Sequence, residues 1–251
     1  MKKLTILAAA TVLIAGCKND TGNGASAANN APITPVTAPN GGDWTQMIRQ
    51  TPEGGMMMGN PDAPVKVVEF SSMTCPHCAH FSENGQAPLV QNYVKTGQVS
   101  FEFRNFVRDP LDITMALIAR CAGATPQFFT ITDALFKNQA ATFERLQAAP
   151  QPELQALASL PPAQQFGRYA QFAGLQEFAA QRGLPSAKTG QCLANQQETE
   201  KLVQMNTDAV TNYQLQGTPT FLINNNVVDM PGVGEADVWK TLEQRIRDEL
   251  S

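Results

Sequence analysis

Val65-Lys66-Val67-Val68 is a short β-branched run leading into Glu69 and Phe70, and it predicts a buried strand. Further on, Val99, Phe101 and Phe103 alternate with Ser100, Glu102 and Arg104, so Gln98 to Val107 predicts a second strand with one apolar face. Between them a helix is expected from Pro76, with a kink or break at Gly85 and Pro88. Glycine weakens a helix, and proline cannot continue its hydrogen-bond ladder. A second helical piece runs to Lys95, where Gly97 is placed to stop it. The pattern is β-α-β.

From Leu111 to about Tyr213 the spacing changes. Ile113-Ala116-Leu117, Phe128-Phe129-Ile131-Leu135-Phe136 and Phe166-Tyr169-Phe172 recur with a helical period. Pro150, Pro152, Pro161-Pro162 and Gly183-Leu184-Pro185 punctuate them. Thr220 to Val228 returns to strand character around a turn at Asn224-Asn225-Asn226, and Glu235 to Leu250 predicts a closing amphipathic helix. The two α/β pieces are each too small to fold readily alone, so a helical domain inserted into an α/β one is expected; two separate domains is the alternative. The boundaries read as 43–110 and 214–251 for the α/β parts and 111–213 for the insertion. No repeat is visible.

Upstream, Trp44 to Met58 predicts a strand ending in a Gly54-Gly55 turn, with Met56-Met57-Met58 as adaptable apolar packing rather than a metal site. Met1-Lys2-Lys3 followed by apolar Leu4 to Ala15 is too short to span a membrane and fits a secretory signal over 1–16. Lys18 to about Gly42 is rich in Asn, Gly, Ala, Thr and Pro, and reads as a flexible tether with a span of roughly 25–30 Å. With 43% hydrophobic and 16% charged residues, the chain has the means for a packed core. The net charge of −4 and the lack of a basic patch argue against a nucleic-acid partner.

Cys75-Pro76-His77-Cys78 carries the chemistry. Proline suits the first helical turn, which puts Cys75 at the N-cap, facing unpaired amides and the positive end of the helix dipole. A thiolate is favoured there over a thiol. Cys78 follows about one turn later, within reach of the Cys75 sulfur. A strand running into a helix that opens with Cys-x-x-Cys is a redox dithiol arrangement. The alternative is half a zinc site, with Cys75, Cys78 and His80 as three ligands, but the chain offers no second close pair. On its strand, Glu69 shares a face with Val65 and Val67, so burial would raise its pKa and let it relay protons.

Glu69-Phe70 with Cys-Pro-His-Cys, and Gly217-Thr218-Pro219-Thr220-Phe221-Leu222-Ile223-Asn224 about 140 residues downstream, resemble the DsbA family of thioredoxin-fold thiol oxidases. The resemblance covers about residues 60 to 251. It implies an α/β, thioredoxin-like fold with an inserted all-helical domain. It also implies a disulfide between Cys75 and Cys78 that is donated to folding exported proteins with free thiols, and a DsbB-like membrane oxidase that restores it. Cys75 is then the exposed nucleophile, Cys78 the buried resolving partner, and His77 a donor to the Cys75 thiolate. Pro219 resembles the family's cis-proline, with Thr218 offering backbone groups to an extended substrate. No cofactor and no metal are implied, and a monomer is expected. His80 reads as solvated surface.

Thr218 is a departure. The best-studied oxidases carry Val before that proline, and Thr also resembles disulfide isomerases. An isomerase or reductase therefore stays open, although the usual N-terminal dimerisation domain has no counterpart in residues 18 to 60. A lipid-anchored chaperone or binding module is the third reading, against which the intact dithiol argues.

Leu13-Ile14-Ala15-Gly16-Cys17 resembles a bacterial lipobox, which implies a diacylated Cys17 and a linker over 17–42. The protein is then exported and anchored on the periplasmic side of a bacterial membrane, inner or outer being undecided. Five cysteines is an odd count, and giving Cys17 to lipid leaves four. Cys121 and Cys192 resemble a second pair found in one subgroup of DsbA-like proteins, and an oxidising compartment suits a disulfide there. Two unpaired buried thiols is the alternative.

Overall fold

The computed structural model describes residues 32–251; the expected signal segment and Cys17 lie outside the described residues. One mixed sheet contains β1 (Ile48–Gln50), β2 (Met56–Gly59), β3 (Val65–Ser71), β4 (Val99–Asn105), β5 (Thr220–Ile223) and β6 (Asn226–Val227), in the order β1-β2-β4-β3-β5-β6. β3 and β4 are parallel, from Val65 opposite Val99 to Ser71 opposite Asn105, and the other pairs are antiparallel. Parallel neighbours need a crossover. It is made by α1 (Pro76–Phe81) and α2 (Ala87–Asn92), joined by a π-helical turn, Ser82–Gln86. The break expected at Gly85 and Pro88 is thus a change of helical pitch. Gly85 admits the Phe81 ring, which a Cβ would meet at 2.3 Å.

Eight helices separate β4 from β5: α3 (Pro110–Arg120), α4 (Pro126–Lys137), α5 (Gln139–Gln147), α6 (Gln151–Ala156), α7 (Pro162–Phe172), α8 (Leu175–Ala180), α9 (Ser186–Leu193) and α10 (Gln196–Tyr213). α11 (Val238–Glu249) closes the chain. Phe101 and Phe103 of β4 meet Phe129, Phe128 and Phe136 of α4 at ring separations of 5.9, 5.8 and 6.3 Å. Each ring so buried contributes roughly 1.5–3 kcal/mol, which ties the helical segment to the sheet. On the opposite face, Ala209 of α10 packs with Val68, Phe70 and Leu222.

Several expectations change in three dimensions. The alternation along β4 predicts one exposed face, yet all seven residues are buried. Arg104 Nε and Nη2 donate to Glu102 at 2.6 and 3.0 Å, and Thr51 Oγ1 donates to the same carboxylate at 2.7 Å. Paired in this way, the polar face tolerates being covered. The three methionines of β2 lie inside the sheet, all buried. Asn224 and Asn225, at φ 49° and 66°, make the hairpin turn, while Asn226 already belongs to β6.

Residues 32–42, expected as tether, lie against the domain. Val36 N donates to Thr96 O at 2.7 Å, Trp44 Nε1 to Val36 O at 2.8 Å, and Gln98 Nε2 to Thr34 O at 2.6 Å. Gly97, at φ 75°, permits this: a Cβ there would lie 2.3 Å from Trp44 Nε1. One backbone and two side-chain hydrogen bonds hold the segment, and composition does not report them.

Cys121 caps the end of α3 and is joined by a disulfide to Cys192 of α9, with Cα atoms 5.7 Å apart and a sequence separation of 71. Closing a loop of that length stabilises by about 4 kcal/mol on the chain-entropy model. Replacing both cysteines by alanine should lower the melting temperature by about 10 °C. Calorimetry should show that loss while the Cys75–Cys78 potential stays nearly unchanged.

Candidate active site

β3 ends at Ser71, and the chain turns through Ser72-Met73-Thr74, with Cys75 N donating to Ser72 O at 3.1 Å. Cys75 is the N-cap of α1, and its side chain makes no capping hydrogen bond. The first-turn amides of His77 and Cys78 nonetheless lie close enough to its sulfur to favour the thiolate. From the other side comes the Thr218-Pro219 peptide, which is cis. The Cys75 thiol donates to Thr218 O at 3.2 Å, and the buried Thr218 hydroxyl, with no other partner, is the side-chain group of Thr218 that favours the Cys75 thiolate. The two stretches, 143 residues apart, thus meet at one sulfur.

Cys75, expected as the exposed sulfur, is only 3% exposed, against 0% for Cys78. The Thr218 carbonyl lying over Sγ is the reason. The two thiols differ in electrostatics far more than in exposure. The Cys75 thiol is drawn down to about 5, by hydrogen bonding from Cys78 first, then from Thr218 and the Cys78 and His77 amides, against the opposing effect of burial. Cys78 is pushed up, by burial first and then by its bond to Cys75 and the charge of Glu69. Both are free thiols in this structure.

Glu69 is 1% exposed, and burial pushes its carboxyl up to about 8, with the charge of Cys75 adding to this and Ser71 opposing it. Neither Glu69 Oε1 nor the neighbouring Ser71 Oγ has a hydrogen-bond partner. The carboxyl is therefore neutral at pH 7, near enough to Cys78 for its charge to act there, with an oxygen free to exchange a proton.

The His77 side chain departs from its expected role. Its ring is 64% exposed and Nδ1 lies 3.1 Å from Glu235 Oε1, so it is the backbone amide of His77 that serves Cys75. A shallow groove beside the cis peptide is lined by His77, His80, Phe81, Phe221, Met230 and Val233. Among the described residues, no three His, Cys, Asp or Glu side chains are placed to hold a metal ion.

Sequence patterns alone do not single out Arg108, Asp109, Asp112 or Gln139. Gln139 Nε2 donates to Met73 O at 2.9 Å and to Cys75 O at 3.1 Å, so the start of α5 fixes the reactive turn. An available signal was Asp109-Pro110 with Asp112 following, the mark of a capped helix start.

The family model described as Thioredoxin matches residues 51–244. A crystal structure of a protein-disulfide isomerase from Novosphingobium aromaticivorans is 33% identical and superposes with a TM-score of 0.69, covering 78% of this chain and 96% of that one. Wolbachia pipientis alpha-DsbA1 shares the fold at 20% identity, with a TM-score of 0.59 over 78% of this chain and 90% of its own. The "Putative protein-disulfide oxidoreductase" of Rickettsia felis is 25% identical over 79% of this chain. The chain spans 65% of that protein's length, and 34% of the length of its Rickettsia bellii counterpart, less than two thirds in each case.

Folded, Glu69 holds its proton up to about pH 8; unfolded, it loses it in the ordinary carboxyl range. The folded form then binds the extra proton between those limits, so stability falls as pH rises, by at most about 1.4 kcal/mol per pH unit. The raised Asp112 carboxyl is half ionised at about pH 6, so from about pH 7 Glu69 is the carboxyl left to titrate at this site. Melts of the oxidised protein, in which no thiol titrates, should show Tm declining from about pH 7 to about 8. Glu69→Gln should flatten that decline, and a decline that survives in the variant would place the titration elsewhere.

Proposed function

The chain belongs to the thioredoxin family, and from that premise we propose that it is a protein-disulfide oxidoreductase acting as a thiol oxidase on exported proteins. The observation that carries the reading is geometric: Cys75 is the N-cap of α1 and meets Thr218 across the sheet, one turn before the fully buried Cys78, an arrangement that draws the first thiol down and pushes the second up. Each tenfold preference for the thiolate stabilises the reduced form by about 1.4 kcal/mol, equivalent to about 30 mV in potential. A protein more comfortable reduced gives its disulfide away.

A client thiolate attacks Cys75 Sγ, the Cys75–Cys78 bond breaks, and Cys78 leaves with the bonding electrons. A high-pKa thiolate is a poor species to leave buried, and the neutral Glu69 carboxyl near it supplies the proton. A second client thiolate then attacks the client sulfur of the mixed disulfide, and Cys75 departs as a stable thiolate. Two electrons pass from client to enzyme, and a DsbB-like membrane oxidase takes them on. Burial of Cys75 means that an extended client strand must come in along the Thr218-Pro219 backbone, beside the sulfur rather than over it.

The Novosphingobium protein is named a protein-disulfide isomerase, which favours a second reading, disulfide isomerisation, in keeping with Thr218 before the proline. The potential against glutathione separates the two. A value near DsbA's, about −120 mV, supports the oxidase; one near or below that of protein disulfide isomerase, about −180 mV, with reshuffling of scrambled disulfides, would replace it.

Export and anchoring through Cys17 belong to the same proposal and rest on the lipobox-like residues 13–17. Among the described residues no helix is long and apolar enough to cross a membrane. Cys17→Ser should move the protein into the soluble fraction, whereas retention on membranes in high salt would remove the lipid anchor from the account. Cys78→Ser should accumulate reductant-sensitive adducts between Cys75 and exported clients. Folded, abundant variant without adducts would count against the exchange mechanism.

A further inference from the structure

The turn that delivers Cys75 is held by a buried carboxylate. Asp112 of α3 is fully buried and accepts from Met73 N on Oδ1 at 2.8 Å, and on Oδ2 from Ser72 Oγ at 2.5 Å and Arg108 N at 3.0 Å. Arg108 closes the arrangement, with Nε donating to Ser72 Oγ at 2.9 Å and Nη2 to Thr74 Oγ1 at 3.0 Å. Asp109 Oδ1 accepts from Asp112 N at 2.9 Å, and its Oδ2 takes the Thr74 hydroxyl at 3.4 Å. An ionised carboxylate at that depth costs stability unless every oxygen is occupied. Here its donors are Ser72 and Met73, in the turn that precedes Cys75, and the neighbouring Arg108.

We infer that Asp112, together with Arg108, is a positioning residue for the dithiol: its carboxylate fixes the Ser72–Thr74 turn so that the His77 and Cys78 amides stay close to Cys75 Sγ. The inference rests on the redox reading of Cys75 and Cys78 and refines it.

An ionised carboxylate only accepts. Once protonated, one oxygen carries a hydrogen, and all three contacts of Asp112 are with donors. Ser72 Oγ is the group able to reverse, but it already accepts from Arg108 Nε and from Thr74 N at 3.3 Å. A third donor overfills it, so protonating Asp112 breaks at least one bond that holds the turn. Burial raises the Asp112 carboxyl to about 6, with Asp109 adding to this and its hydrogen bonds from Ser72, Arg108 and Met73 opposing it. Above that value the turn is held, and below it the turn loosens. The charged and titratable groups at the carboxyl are Arg108 and Asp109; Tyr169, from α7, feels the charge of Asp109 and not that of Asp112.

This coupling has a sign that plain electrostatics does not share. Two like charges oppose each other, so removing the Asp112 charge would make Cys75 easier to ionise. Positioning predicts the reverse. The test is the titration of the reduced protein's thiolate absorbance in the ultraviolet, for the wild type, Asp112→Asn and Ser72→Ala, with circular dichroism on the same samples. The expected result is a Cys75 midpoint higher by about one pH unit in both variants, as for the loss of one well-aimed hydrogen bond. The wild-type curve should also be steeper than a single-proton titration, because protonating Asp112 promotes protonation of Cys75. An unchanged or lowered midpoint in folded Asp112→Asn overturns the inference. If that variant does not fold, an unchanged Ser72→Ala midpoint with a single-proton wild-type curve overturns it equally. The measurement needs neither client nor oxidising partner, so a failed oxidase reading, seen in the potential, remains a separate result.

Discussion

β3 is hydrogen-bonded along both edges, to β4 as far as Ser71 and to β5 as far as Phe70, and apart from Lys66 its residues are buried on both faces. That arrangement fixes the register of everything at the dithiol. With period-two alternation, residue 69 shares the buried face of Val65 and Val67, whatever the chemistry of its side chain. The end of the strand fixes where the chain turns, and the turn fixes where α1 begins. Antiparallel pairing with β5, Phe70 opposite Thr220, then carries the Thr218-Pro219 peptide back to the same end of the sheet.

Two acids are buried in this region, and they are treated in opposite ways. Glu69 has an oxygen with no partner, and its protonated form is the natural one at pH 7. Asp112 has donors on both oxygens, which offset much of the same desolvation. A carboxyl without donors keeps its proton and is a source of protons, whereas one ringed by donors keeps its charge and is a fastening. The number of hydrogen-bond donors within reach, more than depth, separates the two.

Much of this was legible in the sequence because it is local. The β-branched run of β3, the proline after Cys75, the asparagines of the hairpin and the helical period from 111 onward each act through neighbouring residues. What was not legible depends on partners distant in the chain. The polar face of β4 is covered because Glu102 and Arg104 find each other and Thr51. His77 turns to Glu235, 158 residues away, and Cys75 is covered by a carbonyl from residue 218. Residues 32–42 have the composition of a linker and nevertheless find backbone acceptors at Thr96 and side-chain donors at Trp44 and Gln98. Arg108 and Asp112 belong to a helix start whose capping signal is readable, but nothing local says that the cap also grips a turn from another strand.

The docking of that N-terminal segment gives the molecule a handle. Ile33 to Val36 run beside Gln98 and Thr96, at the end of the sheet where β3 and β4 begin, while Cys75 lies beyond the end where they finish. Seven strand residues separate the two poles by roughly 20 Å. Residues 33–36 therefore lie at the far pole. A load applied to them is taken up by the Val36–Thr96 backbone bond and by the Trp44 and Gln98 side chains, and does not pass through the reactive turn. Held by that handle, the protein would present its dithiol outward, like a tool gripped at the end away from its edge.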